Sequence, residues 1–202
     1  MAGKLRADTQ RTRDRLLDSA GRLAESRGFN FSLPELAREA GVSTATAYRH
    51  FDAIQQLQAE FYHRSYVHLM EDLEGIFEDF SGFRLFNEVC GRILNHYVVW
   101  ARPASMIRSP RGYLERYHEG DKAISWNYGV LERVLNNLIE LGIVPDQDQE
   151  AAILLWATIF DERVYLDFRF GRGLSEEDTR RVMSSSVLSL LRTPTLEAKF
   201  TD

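Results

Sequence analysis

The sequence predicts an all-α protein, and three observations carry that prediction. No long alternation of β-branched residues appears, and no Asn-Gly or Asp-Gly turn joins two such runs. Apolar residues instead recur at helical spacing, as in Ile54, Leu57, Phe61, Leu69 and Leu73. The intervals between these stretches carry Ser, Asp, Gly and Pro, the residues that start and stop helices.

A basic arm over residues 1–10, containing Lys4 and Arg6, is expected to be frayed. The first helix is expected from about Thr12 to Ser26, with Leu16, Ala20 and Leu23 on one face and Gly28 as its stop. Ser32-Leu33-Pro34-Glu35 is a sharper start signal. It offers a capping Ser, a Pro tolerated in the first turn and a Glu three residues on to close a capping box. A short helix to Ala40 follows, Gly41 supplies a turn, and Ser43 caps a second short helix over Thr44–His50. Two short helices joined by such a turn make a helix-turn-helix. Asp52 with Gln55 forms another cap-like pair, opening a helix that continues to about Asp79, roughly 40 Å at helical rise. Later helices are expected at about 83–101 (stopped by Pro103), 112–119, 122–141, 147–170 and 176–192.

Composition narrows the function classes. The 202 residues are 44% hydrophobic and 27% charged, which suits a globular protein with a sizeable core. Ala151–Ala157 is the longest kind of apolar run present, far short of the roughly 20 residues that span a membrane, and no signal peptide opens the chain. A cytoplasmic protein with no membrane partner is expected. The single cysteine, Cys90, sits among Val89, Ile93 and Leu94 and reads as core, leaving no disulfide or zinc site. Residues 1–51 hold nine Lys and Arg against six Asp and Glu, whereas the remainder holds 16 against 24. A basic N-terminal module on an acidic body suits a polyanion-binding end.

The stretch Gly41–Phe51, "GVSTATAYRHF", is poor in core-forming residues and rich in hydrogen-bonding groups. An ordinary helix carries a stripe of large apolar residues; here only Val42, one of Ala45 and Ala47, and Phe51 can face inward. The segment is built to meet something outside its own domain.

On "SLPELAREAGVSTATAYRHFDAIQQL" the chain resembles the TetR family of bacterial transcriptional regulators. The resemblance rests on Gly28, Leu36-Ala37, Ala40-Gly41-Val42-Ser43, Thr46, Tyr48, His50-Phe51 and Leu57, and covers about residues 12–60. It implies a DNA-binding domain at 1–52 and a ligand-binding and dimerisation domain at 53–202. It implies a homodimer on a double-stranded, pseudo-palindromic DNA operator, most simply as a repressor released by a small molecule; an activator is the alternative within the family. Small residues at Thr44, Ala45 and Ala47 let a recognition helix approach DNA closely. The hydroxyls of Thr46 and Tyr48 and the imidazole of His50 can donate to phosphate, and the family's positions matching Tyr48 and His50 are phosphate contacts. Base reading falls to Thr44, Ala45 and Arg49, with Arg49 open to either a guanine edge or a phosphate. Ser32 and Ser43 at the helix starts, with Lys4 and Arg6 of the arm, complete the expected DNA-facing set. One departure stands out: the family commonly has a phosphate-reaching Lys three residues after the Phe, where this chain has Ile54.

In the C-terminal region "EAAILLWATIF" is apolar on all sides of its helix, as expected for a helix covered by its own domain and by a second subunit. By resemblance the last two long helices form a four-helix bundle with their copies, with Leu155, Ile159, Val187 and Leu190 at the interface. Arg163 and Asp167 are spaced for an i, i+4 ion pair, and Asp161 is a candidate polar anchor of a pocket. Tyr97, Trp100, Met106, Tyr113 and Trp126 are candidate lining for an apolar or aromatic effector.

Enzyme readings find no support. G-x-S-x-G, H-E-x-x-H and the phosphate-loop pattern are absent, and Gly171-Arg172-Gly173 lacks the strand and third Gly of a dinucleotide loop. His63 and His68 are five apart, off the spacing for a shared metal. No catalytic residue, metal or cofactor is expected; a helical ligand carrier or enzyme without DNA binding is the rival class.

Overall fold

The computed structural model describes residues 2–28, 30–106 and 109–193, with the side chains of residues 2–7, 25, 27 and 106 outside the description. Every regular element among the described residues is helical. The chain divides into two compact units, residues 1–66 and 67–202, with the division inside one helix.

The first unit contains α1 (Ala2–Arg27), α2 (Leu33–Glu39), α3 (Thr44–His50) and the start of α4 (Ile54–Gly75). The expected frayed arm is instead helical from Ala2, continuous with α1. The capping box forms as read: Ser32 Oγ accepts from the Glu35 amide, and Glu35 Oε2 accepts from the Ser32 amide at 2.8 Å. Leu16, Ala20, Leu36, Ala47, Phe51 and Leu57 pack into one core. Burying such side chains is worth about 1.5–3 kcal/mol each for the larger ones, enough to hold helices too short to be stable alone.

The second unit holds α5 (Gly82–Met106), α6 (Tyr113–His118), α7 (Lys122–Glu140), α8 (Gln149–Ile159), α9 (Glu162–Leu166) and α10 (Glu176–Arg192). α5 packs against α7, α9 and α10, and α8 packs against α7 and α10. Trp156 of α8 is fully buried, 5.2 Å between ring centres from Phe86 of α5. Cys90 is also buried; burial pushes its thiol up, against a hydrogen bond to Ser184.

Four further element expectations need correction. α4 ends at Gly75 rather than Asp79, although the apolar spacing continues through the buried Ile76. Glycine is a poor helix former, and the chain closes into turns there. The side chain that caps the Asp52 amide is Gln56, at 2.8 Å, not Gln55. α5 runs past Pro103 to Met106. The helix expected over 147–170 is broken: α8 stops at Ile159, Asp161 caps the separate α9, and a π-turn over Asp167–Gly171 ends the segment.

Candidate DNA-binding site

The turn between α2 and α3 is a Schellman closure. Gly41 has φ +63°, its amide donates to the Arg38 carbonyl at 3.2 Å, and the Val42 amide donates to the Ala37 carbonyl at 2.9 Å. A side chain at Gly41 would be strained in that conformation whatever the space around it. Ser43 then caps α3 by accepting from the Thr46 amide at 3.1 Å. Arg15 of α1 donates to the Gly41 carbonyl at 3.1 Å, fixing the turn from outside.

Of the residues of α3, only Ala47 is buried. Thr44, Ala45, Tyr48 and Arg49 are exposed, and Tyr48 is half-exposed at 50%. Ser43, Thr46 and Arg49 are joined along one face: Ser43 and Thr46 hydroxyls lie 2.8 Å apart, and Arg49 Nη2 donates to Thr46 Oγ1 at 2.9 Å. His50 is partly buried, and burial, then the nearby Arg13 and Arg49 cations, hold its pKa below the usual histidine value. It is a neutral imidazole at pH 7. The Ser32 hydroxyl is exposed and donates to Glu35 Oε2 at 2.8 Å. Lys4 and Arg6 lie within α1, but their side chains fall outside the described residues.

Several cations of this unit are engaged inside it. Arg13 pairs with Glu60, Arg22 with Glu39, and Arg64 with Asp18. The excess positive charge is therefore a poor guide to the DNA-facing side chains. Sequence reasoning missed Arg13 and Arg15, which pin α3 and the turn. Arg13 had a readable signal: it lies three, four and seven residues before Leu16, Leu17 and Ala20, on the apolar stripe of α1. An arginine there buries its stem and needs a partner for its head.

In the second unit the candidate effector residues with described side chains are each engaged with neighbouring groups. Tyr97 donates its hydroxyl to the Phe160 carbonyl and sets its ring edge-on to Tyr165. Trp100 is buried and stacks on His96. Tyr113 donates to Asn127 Oδ1 at 2.8 Å, and Trp126 Nε1 donates to Glu74 Oε1 at 3.2 Å. The Met106 side chain lies outside the described residues. Asp161, the expected pocket anchor, is buried as the cap of α9 and accepts from the Arg163 amide at 2.8 Å and from Arg163 Nε at 3.0 Å. Arg163 therefore pairs with Asp161, not with Asp167. A cavity of about 280 Å³ lies beside Tyr165, the ring that Tyr97 meets, and is lined also by Leu94, Asn95, Val98, Glu176 and Arg180.

Of the four expected interface residues, Leu155 is 40% exposed, while Ile159 and Leu190 are half-buried. Val187 is fully buried within the chain's own core, which removes it from any outward-facing surface.

Residues 16–61 match the family model described as bacterial regulatory proteins, tetR family. No curated protein sequence matches the chain. Among solved structures, the chain is similar to a TetR-family transcriptional regulator from Pectobacterium atrosepticum, at TM-score 0.64 and 20% identity over 93% of this chain and 95% of that one. It is also similar to a transcriptional regulator of the TetR/AcrR family from Thermobifida fusca, at TM-score 0.60 and 16% identity over 90% and 98%. A third is the transcriptional regulator FadR from Bacillus subtilis in complex with stearoyl-CoA, at TM-score 0.57 and 18% identity over 89% and 97%. At these identities the likeness establishes the fold, and the helix-turn-helix domain is fixed by the family match.

Proposed function

From the match of residues 16–61 to the tetR family of bacterial regulatory proteins, we propose that the chain is a ligand-responsive transcriptional repressor of that family, acting in the cytoplasm as a homodimer on a pseudo-palindromic operator. The observation that carries this reading is α3. It is a short helix with one buried residue, held by a Schellman turn and a Ser43 cap, and it leaves Thr44, Ala45, Tyr48 and Arg49 free of the core. A helix that buries so little of itself leaves most of its surface for a partner outside the domain. Tyr48 and His50 then hold phosphate, and Thr44, Ala45 and Arg49 face base edges.

The effector is an apolar or aromatic small molecule taken up by the C-terminal unit. Its binding favours a conformation in which α4, whose residues belong to both units, carries the two recognition helices away from one-turn spacing, about 34–36 Å. Selection of bound duplexes from random DNA tests the reading. The expected product is an inverted repeat whose half-site centres are about one helical turn apart. Failure to shift any duplex at low salt overturns it, and turnover of a substrate by the same preparation would favour an enzyme.

A further inference from the structure

α3 ends without the usual device. Its cap is Phe51, extended at φ −140° and ψ 119°, so no left-handed glycine closes the last turn. A helix end leaves carbonyls that need donors, and here one comes from another helix. Arg13 of α1 donates from Nη1 to the His50 carbonyl at 2.8 Å. The same guanidinium donates from Nε to Glu60 Oε1 at 2.8 Å and from Nη2 to Glu60 Oε2 on α4. Its face lies 4.4 Å from the centre of the buried Phe51 ring. One planar group thus ties α1, the exit of α3 and α4 together, and uses geometry that lysine cannot copy.

We propose that Arg13 is a positioning residue for DNA binding, setting the last turn of α3 so that Tyr48 and His50 meet phosphate in register. The assignment rests on the DNA-binding reading above. α3 itself buries only Ala47, so the buried Phe51 anchors the chain just past its exit while the hold on the His50 carbonyl sets the last turn before it. Glu60 orients the guanidinium but touches neither α3 nor its cap in these contacts; its part is to stabilise the domain.

The test compares Arg13→Gln and Glu60→Gln with wild type, using the duplex that wild type itself selects from random DNA and an unrelated duplex of equal length. Both variants are checked for folding, and affinity is measured well below their melting temperatures. Arg13→Gln is expected to bind both duplexes about tenfold more weakly, with the selected motif unchanged, because lost phosphate contacts carry no base information. Tyr48 and the neutral His50 meet phosphate as uncharged donors and release no counterions, so the log–log salt dependence should stay close to that of wild type while the affinity falls. Glu60→Gln should melt earlier yet keep wild-type affinity and salt slope. A folded Arg13→Gln with unchanged affinity overturns the assignment, as does an equal loss in Glu60→Gln, which would reduce Arg13 to half of a stabilising pair. Wild type that selects no duplex would instead remove the DNA-binding reading on which the assignment stands.

Discussion

Arg49 donates from Nη2 to the Thr46 hydroxyl at 2.9 Å, so the cation nearest the middle of the exposed face of α3 is folded along its own helix. An exposed hydrogen bond of this kind contributes on the order of 1 kcal/mol. A guanine edge offering two acceptors outweighs it, since a bidentate pair discriminates by about 1–3 kcal/mol. Arg49→Ala is therefore expected to flatten preference at one base pair per half-site in selection from random DNA. Tyr48→Phe should instead weaken binding to all duplexes about equally, because a phosphate contact carries no sequence information. An unchanged motif for Arg49→Ala would make Arg49 a backbone contact.

The homodimer is tested by placing charge on two leucine-rich faces with different exposures. Leu155 is 40% exposed in the single chain, so Leu155→Arg leaves the chain's own core intact. If a partner subunit covers it, the substitution buries an unpaired charge at a cost of several kcal/mol and should dissociate the dimer. Sedimentation should then show a folded monomer with retained helical circular dichroism. Val187→Arg, at a fully buried position, should unfold the chain instead. Wild type sedimenting as a monomer at micromolar concentration would end the dimer proposal.

The helix-turn-helix was legible because its signals are local. Ser32 and Glu35 are three residues apart, and the Gly41 turn closes onto Ala37 and Arg38 within one helical turn. The break at Asp161 was not legible, because "EAAILLWATIF" followed by alternating charges satisfies a continuous helix equally well. What decides it includes a tertiary contact: the Tyr97 hydroxyl takes the Phe160 carbonyl from a helix 63 residues away in sequence. The partner of Arg13 was hidden for the same reason, since Glu60 lies 47 residues on. Aromatic residues at Tyr97, Tyr113 and Trp126 look alike in sequence whether they line a cavity or hold neighbouring helices. In the structure each bonds across to another segment, Tyr97 to Phe160, Tyr113 to Asn127 and Trp126 to Glu74.

Acid sensitivity should pass through His96. Burial lowers its pKa from the ordinary 6.5 to about 4, and its ring stacks on Trp100 with centres 5.8 Å apart. Between those values the unfolded chain binds a proton that the folded chain refuses, so stability rises with pH across this window and falls on acidification. The full span is on the order of 3 kcal/mol, none of it lost above about pH 6.5. His96→Phe keeps a ring against Trp100 and removes the titration. Urea unfolding of both proteins from pH 7 to pH 4.5 should show wild type losing more stability than the variant. Parallel pH profiles would mean that His96 does not stay neutral in the fold.

Ile54 occupies the position where the resemblance leads one to expect a phosphate-reaching lysine, and its side chain is half-buried against the core that holds Phe51 and Leu57. Ile54→Lys should strengthen DNA binding and make it more sensitive to salt, because each added phosphate contact steepens the log–log dependence by about 0.9. A dimer gains two such contacts, so the slope should steepen by roughly 1.8, and raising salt from about 50 to 200 mM should cost the variant on the order of tenfold more affinity than wild type. Two effects act against the substitution. Ile54 is the first residue of α4, where a cation meets the positive end of the helix dipole at about 0.3–1 kcal/mol, and part of its buried apolar area is forfeited. Both lower stability without altering the number of phosphates neutralised, which makes the slope, rather than the affinity, the deciding measurement. Lysine can still lay its methylenes on the same core surface while its ammonium reaches outward, so the fold should survive. A folded Ile54→Lys variant with a wild-type slope would show that this side chain does not reach the DNA backbone, and that the first turn of α4 stands off from DNA in this protein.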